Sequence, residues 1–118
     1  MTEMTPAAIE VGEKVHIIVR RAFKEDLRRH FVGTVSMVSV GQIRVVGYTF
    51  SFNPTSQVFQ RLPNLRTRLF GLFDSGYIVN VLPPEVDIER LRYHANQGVL
   101  VVSDGKGFKL EINDADGV

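Results

Sequence analysis

The chain has 118 residues, with 14 Lys and Arg against 13 Asp and Glu, ten Gly, five Pro, and neither Cys nor Trp. That length accommodates one domain and enough buried surface for a core without covalent staples. The missing cysteines exclude a disulfide framework, thiolate metal sites and a cysteine nucleophile. With 44% hydrophobic and 23% charged residues, wholesale disorder is excluded as well.

Residues 1–12 are small, polar and acidic, and read as an arm or a short helix opened by Thr5-Pro6 and ended by Gly12. They lack the basic and apolar regions of a secretory signal. No run approaches the roughly 18 apolar residues of a membrane helix. The expectation is a soluble, cytoplasmic protein with no membrane contact. Residues 13–113 are read as one β domain and 114–118 as a polar tail.

Residues 15–21 alternate as a strand, with Val15, Ile17 and Val19 on one face and His16, Ile18 and Arg20 on the other. A polar connector follows at 22–27. Residues 28–40 form the longest β segment. Phe31, Val35 and Met37 fall on one face; Val32, Val38 and Val40 fall on the other. Apolar residues on both faces, with Gly33 inside, predict a long bent strand serving two sides of a barrel. Gly41-Gln42 is a tight turn. The chain returns over 43–52, with Arg44, Val46, Tyr48, Phe50 and Phe52 on one face and Ile43, Val45, Gly47 and Thr49 on the other.

Asn53-Pro54-Thr55-Ser56 is a turn, and its proline blocks glycosylation of Asn53. A short strand at 58–61 and two more at 66–74 and 77–82 follow, the last stopped by Pro83-Pro84. Residues 86–93 fit either one helical turn capped by Asp87 or a bulged strand. A strand at 99–103 and the Asp104-Gly105-Lys106-Gly107 hairpin signal lead into the alternation of Phe108, Leu110 and Ile112 with Lys109 and Glu111. About eight short strands without a long helix predict an all-β fold, a small antiparallel barrel or sandwich.

The net charge of +1 hides an asymmetry. Residues 14–68 hold ten basic residues, eight of them Arg, against Glu25 and Asp26, a net of +8. Residues 69–118 carry a net of −4. Either the basic segment faces an anionic partner such as nucleic acid, or it faces the acidic third of its own chain or of a neighbouring copy. Arg20, Arg21, Arg28 and Arg29 bracket one connector and form a candidate phosphate clamp. Arg44 and Arg61 flank Tyr48, Phe50 and Phe52, a stripe that reads first as core and second as a base-stacking platform.

His16, His30 and His94 lack metal-ligand spacing, so no metal site is expected unless the fold gathers them. Asp114 and Asp116 do not complete a calcium loop, and residues 104–107 lack the spacing of a phosphate-binding loop. Glu85, Asp87 and Glu89 read as a solvated edge. No nucleophile–base set is visible, so no catalytic residue and no cofactor is expected.

The strand Val15-His-Ile-Ile-Val19, the element Phe31-x-Gly33-x-Val35-x-x-Val38 and the strand returning from Ile43 resemble the first half of the Sm-like fold. That resemblance implies a bent five-stranded barrel, assembly into a homo-oligomer and single-stranded RNA as ligand. The places of that family's RNA-contacting loops hold Val40-Gly41-Gln42 and Asn53-Pro54 here, and residues 83–118 have no counterpart. No functional residue carries over by resemblance.

Overall fold

Alternating β-branched and aromatic side chains form nine strands among the described residues of the computed structural model, which are 8–21, 23, 25, 28–73 and 76–112. The opening of the expected arm (1–7), four connector residues (22, 24, 26 and 27), Asp74 and Ser75, and the tail from 113 onward lie outside the described residues. The strands are β1 Lys14–Val19, β2 Arg29–Ser39, β3 Gln42–Asn53, β4 Val58–Arg61, β5 Arg66–Gly71, β6 Tyr77–Leu82, β7 Arg92–Asn96, β8 Val99–Ser103 and β9 Lys109–Ile112. A single 3-10 turn at Ile88–Arg90 starts from Asp87, whose side chain accepts from the Glu89 N–H. The ambiguous segment therefore resolves into a capped turn followed by β7.

Two antiparallel sheets result. The larger has the order β4-β3-β2-β1-β6, with β5 pairing to β3 beside that path; the smaller has the order β7-β8-β9. The long strand β3 is shared lengthwise: residues 42–47 pair with β5 and residues 50–53 with β4. Both faces of the larger sheet are buried. One packs Ile18, Val32, Phe50 and Phe59 against Tyr93, Val102 and Ile112 of the smaller sheet. The other curls around Val15, Ile17, Phe31, Ile43, Val45 and Phe70, and Ile9 joins this inner core. The Phe70 and Tyr77 rings meet edge to face at 5.2 Å between centroids, so β5 and β6 approach across that core. Neither pairs with the other, and among the described residues their outer edges have no strand partner.

The bend needs close backbone contact. Gly33 and Gly47 are directly paired. A Cβ on Gly33 would lie 2.3 Å from the Val46 carbonyl oxygen, and one on Gly47 1.9 Å from that of Val32. Two residues on, a register shift between Val35 and Met37 corrects the simple alternation. Val35 stays in the inner core opposite Val45, but Met37 pairs with Arg44 and is exposed, while Val38 takes the position opposite Ile43. One extra residue in a bulge exchanges the two faces.

Gly47→Ala is expected to destabilise the protein by about 2–3 kcal/mol, because a methyl group must displace backbone. Gly71→Ala, where a Cβ meets nothing within 4 Å, is expected to change stability by less than about 1 kcal/mol. Urea denaturation of both variants checks the pair.

Candidate nucleic-acid interface

β1 and β2 run antiparallel, with Val19 opposite Arg29 on one side and opposite Tyr77 on the other. The connector between them thus places Arg20, Arg21, Arg28 and Arg29 together at one end of the larger sheet. The Arg20 N–H donates to the Gly76 carbonyl, holding that end to β6. Arg28 lies over the Phe52 ring, 4.6 Å from its centroid. Arg29 sits on the inner face, the same side as Phe31. Glu25 is exposed and, among the described residues, pairs with none of them.

The other two candidate arginines are elsewhere. Arg44 pairs with Met37, seven positions along β3 from Ser51, the partner of Arg29. That separation is roughly 20 Å along a strand. Arg61 is engaged within the chain: its guanidinium lies 4.3 Å from the Tyr48 centroid and 3.4 Å from the Glu89 carboxylate. The Tyr48 hydroxyl donates to the same carboxylate at 3.0 Å. Glu89 is therefore a contact between the acidic third and the basic segment rather than part of a free solvated edge. The aromatic stripe divides accordingly. Phe50 is core, while Tyr48 and Phe52 pack against the core and are capped by Arg61 and Arg28.

A residue outside the sequence-predicted set, Arg68, lies opposite Val45 on the inner face, beside Arg44 in the ladder, and shares a cleft with Arg29. Arg68 of β5 and Arg29 of β2 both line a cleft of about 720 Å³ in the open seam between β5 and β6. Phe31, Phe70, Val19, Tyr77, Leu62 and Leu69 also line it. Thr49 and Ser51, on the inner face of β3, add hydroxyls. The Thr49 Oγ1 is buried and has no partner among the described residues. No ion pair or hydrogen bond engages the Arg29 or Arg68 side chain among the described residues. Arg68 follows from sequence only once β5 is known to turn back along β3, which its exposed composition does not reveal.

The fold gathers two histidines that sequence spacing left apart. Strand pairing sets His16 opposite Val32 and His30 opposite Ile18, so the two histidines are diagonal neighbours on the same face. Both are fully buried, with Tyr93 of the smaller sheet between them. Tyr93 Oη lies 2.7 Å from His16 Nε2 and 2.6 Å from His30 Nδ1. The Asn80 amide nitrogen lies 3.2 Å from His16 Nδ1. Because that amide donates, a directed chain follows: His16 Nδ1 accepts, His16 Nε2 donates to Tyr93, and the Tyr93 hydroxyl donates to His30 Nδ1. His30 Nε2 ends the chain without a partner among the described residues. His30 also stacks on Phe59 at 4.2 Å. His94 is exposed on β7, apart from this pair. Among the described residues no group of three or more His, Cys, Asp or Glu is placed to hold a metal ion.

Comparison with protein-family models, with curated proteins and with solved structures finds no match. Among the described residues no helix is long and apolar enough to cross a membrane.

Burial holds the His16 imidazole at about pKa 4 and His30 at about 3, against an ordinary 6.5. For His30 the neighbouring His16 and Arg28 add to the effect of burial. Both values are depressed, so the folded state rejects protons that the unfolded chain accepts below pH 6.5. Stability is complete above pH 6.5 and declines as the pH falls, by about 3 kcal/mol per pH unit for the two groups down to pH 4. Denaturant titrations at stepped pH check that slope. Tyr93→Phe leaves one buried donor and one buried acceptor unanswered, with an expected loss of about 2–4 kcal/mol at pH 7, measured by the same method.

Proposed function

We propose that this chain is a non-enzymatic binding module that takes single-stranded RNA at the basic end of its larger sheet. The observation that carries the reading is the pair Arg29 and Arg68, unengaged by any acidic side chain among the described residues, lining one cleft together with Phe31 and Phe70. Unpaired guanidinium groups in a concave, partly apolar setting favour phosphate over isolated carboxylates, because their planar forks match its oxygens. Arg20, Arg21 and Arg28, at the same end, extend the positive potential along a strand of phosphates. Within this reading Arg44 and Arg61 are not contacts: one is on the opposite face of β3 from Thr49 and Ser51 and the other is held by Glu89. The Sm-like resemblance of residues 14–53 implies the same class of ligand.

A second reading, self-assembly through strand edges, rests on one observation. β6 offers an outer edge without a single charged residue, and Val81 on it is exposed. Such an edge invites pairing with another strand.

Titration with labelled mixed-sequence single-stranded RNA tests the first reading. Micromolar or tighter affinity at low salt, falling steeply as salt rises, is expected. Arg29→Glu and Arg68→Glu are each expected to weaken binding by about tenfold or more, and Arg44→Glu by much less. Absence of binding at low salt, together with a concentration-dependent oligomer in sedimentation, would replace the RNA reading by the assembly one.

A further inference from the structure

We propose that the cleft between β5 and β6 holds one unstacked base of the bound strand, with Arg29 and Arg68 taking the phosphates on either side. The inference rests on the RNA reading and assigns a part of the ligand to a part of the site. Three features of the cleft ask for more than phosphate.

The first is its volume and lining. A phosphate alone is satisfied by guanidinium groups at a surface, yet these two line about 720 Å³ of space together with Phe31 and Phe70. That volume falls in the roughly 300–1,000 Å³ range of sites that enclose small organic groups. An apolar lining is of no use to a hydrated anion and of direct use to a planar heterocycle, which gains on leaving water.

The second is the unanswered hydroxyl. Thr49 lies opposite Phe31, so its side chain is on the inner face of β3 toward the cleft. Its Oγ1 is buried without a partner among the described residues. A buried hydroxyl left unpaired is costly, a deficit that a ligand with polar edge atoms removes. Bases present donors and acceptors along their edges, and single-stranded RNA is read through those edges.

The third is the placement of the two arginines. Arg29 on β2 and Arg68 on β5 line the cleft from different strands. Cations on separate strands suit a backbone that passes across a cleft while its base turns inward.

The experiment compares a short oligouridylate with an abasic oligomer of the same length and phosphate count, both titrated against the full chain at one low salt concentration. A base in the cleft predicts that the abasic strand binds about tenfold or more weakly, as expected when one base loses its apolar contact. Thr49→Val keeps the shape and removes the hydroxyl. It is expected to weaken oligouridylate binding severalfold while leaving the abasic strand unchanged. Equal affinity of the two strands would overturn the base-in-cleft assignment and leave RNA binding through phosphates standing. A Thr49→Val variant that binds oligouridylate as tightly as the parent would remove Thr49 from the site. If neither strand binds, the RNA reading itself fails and this inference with it.

Discussion

The direct contact between Gly33 and Gly47 is the constraint on which the rest of the molecule depends. Two adjacent strands with side chains at this crossing would be forced apart by the atoms a Cβ adds. Without them, β2 and β3 close up and bend, and one half of the ribbon faces the smaller sheet while the other curls around its own core. The bulge after Val35 completes the change of direction, leaving Met37 exposed beside Arg44 and setting Val38 opposite Ile43. Two cores from one sheet follow from that bend. So does the seam, because a sheet curled this far without a closing pair leaves β5 and β6 facing each other across a gap.

The two cores differ in character. The inner one is built from aliphatic and aromatic side chains, with the Thr49 hydroxyl on the same face. The core between the sheets contains a polar chain running from Asn80 through His16 and Tyr93 to His30. Hydrophobic packing alone would tolerate many dockings of a three-stranded sheet on a larger one. A hydroxyl that must meet two ring nitrogens tolerates few, so the polar chain sets the docking position. Burial of the same groups ties the docked state to neutral imidazoles.

Much of the fold was legible in the residues. The alternation in β1, β3 and β9 and the hairpin at Asp104 to Gly107 appear in sequence as they stand in the structure, because local pattern and turn chemistry agree there. Where the pattern ran ahead of the structure, the reason is physical. Met37 continues the alternation of Phe31 and Val35 on paper, and only pairing with β3 reveals the extra residue. The basic end was legible in part: a connector flanked by arginines must bring Arg20, Arg21, Arg28 and Arg29 together if its strands pair. Arg44 and Arg61 have the same side chains, but their surroundings come from distant chain segments. His16 and His30 were visible as residues of paired strands; the tyrosine that joins them lies 63 residues beyond His30 in the chain and carries no local mark.

The strand order also bears on how the chain reaches its structure. In both sheets nearly every pairing joins strands that are close in sequence, and such contacts form early because little chain must be ordered to make them. The pairing of β1 with β6 is different: it brings Val19 opposite Tyr77 and encloses most of the larger sheet between them. It also fixes Asn80 beside His16 and ends at the turn whose Pro84 carbonyl accepts from Lys14 Nζ at 2.7 Å. β6 is thus the latch of the assembly, the strand whose arrival joins two locally formed meanders into one molecule. Until it arrives, β1 exposes an unpaired and strongly apolar edge, so the interval before that step is when the nascent chain is most prone to aggregate.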